Sequence, residues 1–355
     1  NANDIVKTIA VSGATVYAGG YFTSIGATAM PRNYLAALDA TNGTATDWDP
    51  NANSPVLTLA VSGATVYAGG YFTLIGTTAV PRNYLAALDA TNGTAMAWDP
   101  NANSPVLTIA VSGATVYAGG YFTSIGAIPV TRNNLAALDA ADGTPTAWNP
   151  NANDIVLTLA VSGVTVYAGG FFTSMGATLV LRNRLAAFNT TDGTATAWNP
   201  NANNDVLTLA ISGATVYAGG RFTSIGATPV PRNRLAALGA ADGIPTAWDP
   251  NANSTVQTLA VSGPTIYAGG WFTSIGATPM PRNRLAALDA ADGTATAWNP
   301  NADDVVLTLT VSGPIVYAGG YFTSIGATRV IRNYLAALNA ADGTATAWNP
   351  NADDT

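Results

Sequence analysis

The chain contains no cysteine, no histidine, no glutamate and a single lysine, Lys7. Each absence closes a class of chemistry. Without Cys or His there is no disulfide, thiol nucleophile, imidazole base, zinc finger or histidine-ligated metal. All twenty acids are Asp, set against thirteen cations, and the net charge is -7. That balance argues against a nucleic-acid partner, which needs a basic face for phosphates. Only 9% of residues are charged, where an ordinary globular domain has about 25%. No apolar run approaches the roughly 18 to 20 residues of a membrane helix, so no membrane insertion is expected. The sequence opens at Asn1 without the zones of a signal peptide and reads as a processed or trimmed product. A surface poor in Lys and Glu and rich in Thr, Ala and Asn points to an extracellular or cell-surface location.

What is present is repetition. The 355 residues are seven units of fifty with five left over, and the units align without insertion or deletion. Hydrophobic residues make up 48%, enough for a core. Each unit holds four runs of strand character. In the first, residues 6–11 alternate and are β-branched, Ser12-Gly13 turns the chain, and 15–22 follow. A longer loop, 23–32, leads to 33–40. Asn42-Gly43 is a short-hairpin signal into 44–48, and Asp49-Pro50-Asn51 reads as a turn. Leu35 and Ala37 share one side of the third run, Ala36 and Leu38 the other. A sheet apolar on both faces is packed between two neighbours. Gly19-Gly20 removes two side chains where another backbone comes close.

The predicted fold is therefore all-β: a seven-bladed β-propeller of four-stranded antiparallel blades. It forms one domain, 1–355, with blades at about 1–50, 51–100, 101–150, 151–200, 201–250, 251–300 and 301–350. Residues 351–355 are a surplus linker. An open solenoid is the competing architecture, but units without distinct polar caps favour a closed ring.

The blocks V-Y-A-G-G-x-F-T-x-x-G, R-N-x-L-A-A-L and G-T-x-x-x-W-x-P, which recur through the seven units with single departures at Ile266, Phe188 and Ile244, resemble the bacterial delta sixty repeat propellers. That resemblance implies a propeller, often secreted or surface-anchored, and no particular activity. Ala37-Leu38-Asp39 through Gly43 to Trp48 also resembles the tryptophan-docking motif of quinoprotein propellers, although there the Trp falls one residue closer to the Gly.

Seven arginines recur at one position: Arg32, Arg82, Arg132, Arg182, Arg232, Arg282 and Arg332. Such a ring could clamp an anion. Recurrence in every blade instead favours a structural role, as it does for Trp48, Trp98, Trp148, Trp198, Trp248, Trp298 and Trp348. The oxygen-rich linkers resemble the start of a calcium loop, most strongly at Asp303-Asp304 and Asp353-Asp354. They lack the carboxylate count of such a loop and its Glu, so no metal is expected. No cofactor or catalytic residue is expected either, since paired-carboxylate sites usually need a Glu and the Asp residues sit in turns. Sequons at Asn42, Asn92, Asn189 and Asn253 permit N-glycosylation.

Symmetry breaks at two positions. After Gly-Gly stand Tyr21, Tyr71, Tyr121, Phe171, Arg221, Trp271 and Tyr321. After Arg-Asn stand Tyr34, Tyr84, Asn134, Arg184, Arg234, Arg284 and Tyr334. Tyr and Arg are hot-spot residues, and both positions flank the long loop. Drift at exposed positions is the bland alternative. The fourth run should form the outer edge of each blade. Asp47, Pro145 and Pro245 protect three of these edges and four are neutral and Thr-rich, which invites pairing with another copy. These features lead to an expectation of a non-enzymatic structural or adhesive propeller that self-associates into a homo-oligomer or homopolymer. The surplus segment would set polarity by docking on the next subunit. The alternative is a lectin-like propeller binding a polysaccharide.

Overall fold

The computed structural model describes residues 2–26, 29–176 and 178–350. In the first repeat, β1 (Val6–Ser12) turns at Gly13 into β2 (Thr15–Gly20). A short hairpin of β3 (Ser24–Ile25) and β4 (Met30–Pro31) follows, then β5 (Leu35–Asp39). β1, β2 and β5 form an antiparallel sheet in that order. The same sheet recurs in every repeat, and β3–β4 is a pairing inside the segment expected to be loop. The fourth run joins β5 through one bridge, Leu38 to Ala45, supported by Asp39 N–H to Thr44 O and Thr46 N–H to Ala37 O.

The seven sheets stand around an axis with the β1-type strand innermost, each beside those of the preceding and following blades. The last, Val306–Ser312, lies beside β1, so the ring closes. The molecule is a seven-bladed β-propeller, and each sheet is built from one repeat. Its core is not central but lies between blades. Tyr17, Leu35, Ala37 and Trp48 of blade one meet Val56, Val66, Phe72 and Leu88 of blade two, and Trp348 with Tyr317 closes the ring against Val6 and Val16. Leu35 and Ala37 thus face one neighbour while Ala36 and Leu38 face the other.

Tryptophan is the clasp between blades. Trp48 Nε1–H donates to the Asp89 carbonyl at 2.8 Å, and its ring meets Tyr17 edge-on at 5.0 Å. Trp348 donates to the Asp39 carbonyl at 2.8 Å across the closing seam. Because the acceptor is a backbone oxygen, that position tolerates Asp, Asn or Gly, as at Asp39, Asn189 and Gly239.

The seat for the linker of blade one is filled by the N-terminal segment. Ala2 bridges Ile25, and the Asn3 side-chain oxygen accepts Thr23 N–H and Ser24 N–H. The surplus segment, 351–355, lies outside the described residues.

Candidate functional site

Val6 pairs with Gly20, so the start of β1 and the end of β2 lie at one end of the ring. The Tyr21 N–H donates to the Ile5 carbonyl at 2.9 Å, which places the residue after Gly-Gly at the mouth of the central channel. Tyr21, Tyr71, Tyr121, Phe171, Trp271 and Tyr321 thereby form an aromatic collar, interrupted by Arg221. All but the half-buried Phe171 are exposed, Trp271 most of all at 48%, whereas the seven docking tryptophans are buried. Burial raises the Tyr21 phenol above its ordinary pKa, and the neighbouring phenols Tyr71 and Tyr321 and the carboxyl of Asp4 add to the shift.

The position after Arg-Asn is brought to the same rim. Each of its residues has left-handed backbone, with φ of 65° at Tyr34 and 66° at Arg234. There the N–H donates to the Phe22-type carbonyl and the carbonyl accepts the Gly20-type N–H. Tyr34, Tyr84 and Tyr334 then pack on the adjoining blade core. The arginines fold back along their own blade instead. Arg184 donates to Phe171 O, Arg234 to Arg221 O at 2.8 Å and Arg284 to Trp271 O. Arg184 and Arg221 flank Asp205, at 3.8 and 3.4 Å. The two symmetry-breaking positions are therefore one surface, with a Tyr sector on blades seven, one and two and an Arg sector on blades four to six.

The arginine ring lies elsewhere. Arg32 Nη1 donates to Pro31 O at 2.8 Å and Nη2 to Thr46 O at 2.6 Å, and the other six repeat both bonds. Each guanidinium ties its loop to the fourth run of its own blade, and each Nε is buried without a partner. Spent on backbone carbonyls, these head groups do not converge on a common anion. They also alter the edge argument. The fourth run pairs at one residue and its Thr46 carbonyl is occupied, so it is not the long neutral edge expected from sequence.

At the strongest calcium candidate, both Asp303 oxygens are committed. Oδ1 accepts Thr323 N–H and Ser324 N–H, and Oδ2 accepts both hydroxyls. Burial pushes the Asp303 carboxyl up, but these four bonds outweigh it and hold the pKa below its ordinary value. Asp304 accepts Val305 N–H. Asp353-Asp354 lies outside the described residues. Among the described residues no group of three or more metal-ligating side chains gathers.

One column escaped the sequence reading. The second residue of each inner strand is Lys7, Leu57, Leu107, Leu157, Leu207, Gln257 or Leu307. Lys7, Gln257 and the first four of these leucines line a cavity of about 260 Å³ at the channel mouth, with Tyr21 and Tyr71. The signal was available: the only Lys and the only Gln of the chain fall in this one column.

In architecture the chain is similar to solved β-propellers. It aligns with the structure of U3-55K at TM-score 0.63 and 11% identity, covering 94% of this chain and 95% of that one. The WD40 repeats of RRP9 give 0.62 and 11%, covering 90% and 88%. The computationally designed Ika8 protein gives 0.62 and 12%, covering 96% and 85%. At such identities the likeness is one of fold alone. No family model matches the chain, and no curated protein matches it in sequence.

Proposed function

We propose that this chain is a non-enzymatic binding propeller, extracellular or at the cell surface, that holds a polysaccharide against its aromatic mouth. The observation that carries the reading is Trp271, the most exposed aromatic, on an open rim where Arg284 donates to its backbone carbonyl. A flat ring with an adjacent guanidinium suits a sugar: its C–H face stacks on the indole, and its hydroxyls accept guanidinium N–H bonds. The Arg sector gives that surface a polarity a sevenfold ring would lack. The sequence blocks shared with delta sixty repeat propellers favour the same setting outside the cell. A non-enzymatic role accords with a chain whose Asp side chains cap turns and which has no Glu, His or Cys.

A glycan array probed with the wild type and with Trp271→Ala tests this. Selective retention that falls at least tenfold in the variant is expected. An empty array, or equal retention by both proteins, overturns it.

Self-association is a second reading, favoured by the β3–β4 hairpins rather than by the outer strand edges. Ile128, Leu179 and Leu181 on blades three and four are exposed apolar side chains. In that case sedimentation velocity shows concentration-dependent oligomers that Leu181→Thr disperses. Monomers at every concentration refute it.

A further inference from the structure

We propose that the channel mouth is a binding site for a small molecule with an apolar tail and one carboxylate, held by Lys7 and Gln257 on one side and a leucine wall on the other. This site shares Tyr21 and Tyr71 with the rim but rests on Lys7, Gln257 and the leucines, which the polysaccharide reading does not use.

Lys7 and Gln257 belong to blades one and six, separated only by blade seven, so the two polar heads occupy one sector of the ring. Leu57, Leu107, Leu157 and Leu207 take the opposite sector in unbroken succession. Among the described residues no hydrogen bond or ion pair engages the Lys7 ammonium. None of the residues lining the cavity is acidic, and Asp4, the carboxylate nearest in sequence, accepts the Ile5 N–H. Desolvation by burial lowers the Lys7 pKa.

Folding does not call for this arrangement. Leucine fills the same position in five blades, so a lysine there places a cation where an apolar side chain fits. The leucine pattern is broken at one sector of the ring, and such breaks mark functional positions. A carboxylate supplies the missing charge and accepts the Gln257 amide N–H, while its tail meets leucine. The cavity of about 260 Å³ falls just below the usual range of about 300–1,000 Å³ for ligand pockets, which limits the occupant to a short chain such as octanoate.

The test is calorimetric titration of the full chain with octanoate, octan-1-ol and acetate, using the wild type, Lys7→Leu and Gln257→Leu. Both substitutions install the residue found in the other blades, and Lys7→Leu is expected to melt no lower than the wild type. Octanoate should saturate the wild type and bind Lys7→Leu at least tenfold more weakly. Octan-1-ol should not distinguish the proteins, and acetate should fail to bind. No saturable octanoate binding, or equal octanoate binding by Lys7→Leu, overturns the site. Acetate binding as tight as octanoate overturns its apolar half. Failure here leaves the Trp271 result untouched, and the reverse holds as well.

Discussion

A methyl group placed on Gly20 would lie 2.1 Å from the Ile5 carbonyl oxygen, and one on Gly19 would lie 2.8 Å from Thr8 Cγ2 and 2.9 Å from Val56 Cγ1. Gly19 is thus small because Thr8 of its own inner strand and Val56 of the next blade both press on it, and Gly20 because the backbone of its own inner strand does. Gly13 differs: its φ of 56° favours glycine, but the space around it is open. Gly20→Ala is therefore expected to cost about 3 kcal/mol by overpacking against backbone, and Gly13→Ala about 1–2 kcal/mol for left-handed backbone alone. Chemical denaturation of the two variants checks the order. A Gly20→Ala protein as stable as Gly13→Ala would contradict the packing described. The need for close approach was legible in the Gly-Gly pair, because only its missing side chains explain it. The role of Arg32 was half legible. Recurrence marked it as architectural, but its two carbonyl acceptors come from residues 31 and 46, which only the fold brings together.

At the scale of elements, the turn after β5 titrates. Asp142 Oδ1 accepts the Thr144 N–H at 2.8 Å and its hydroxyl at 2.7 Å, and these two bonds lower its pKa. Asp192, Asp292 and Asp342 do the same. In the first two blades Asn42 and Asn92 make identical bonds without a charge. A carboxyl whose folded pKa is depressed stabilises the fold above its unfolded pKa, near 4, and that stability is lost as pH falls through the folded value. Asp303 acts in the same direction. Changing the four turn aspartates to Asn should flatten the fall of melting temperature between about pH 5 and pH 2. Equal slopes for variant and wild type would refute the assignment. The turn itself was readable from Asn42-Gly43. The brevity of the fourth run was not, since its β-prone residues read as strand while Arg32 holds its Thr46 carbonyl. The β3–β4 hairpin was missed because two-residue strands leave no periodicity.

For the whole molecule, the fifty-residue period and the two-faced third run make the propeller legible in the sequence. The site was legible in part. Comparing columns exposed the rim positions, but the channel column stayed hidden because a leucine run reads as core until the ring shows which residue faces the axis. The central claim, that the aromatic mouth is the binding face, has a reporter built into it. Trp271 is the one exposed indole among eight, so acrylamide should quench a single red-shifted component that Trp271→Phe removes. A polysaccharide selected on the array should shield that component in the wild type. Shielding at Trp271 is the predicted result, and a bound glycan that leaves Trp271 fully quenchable would contradict the account.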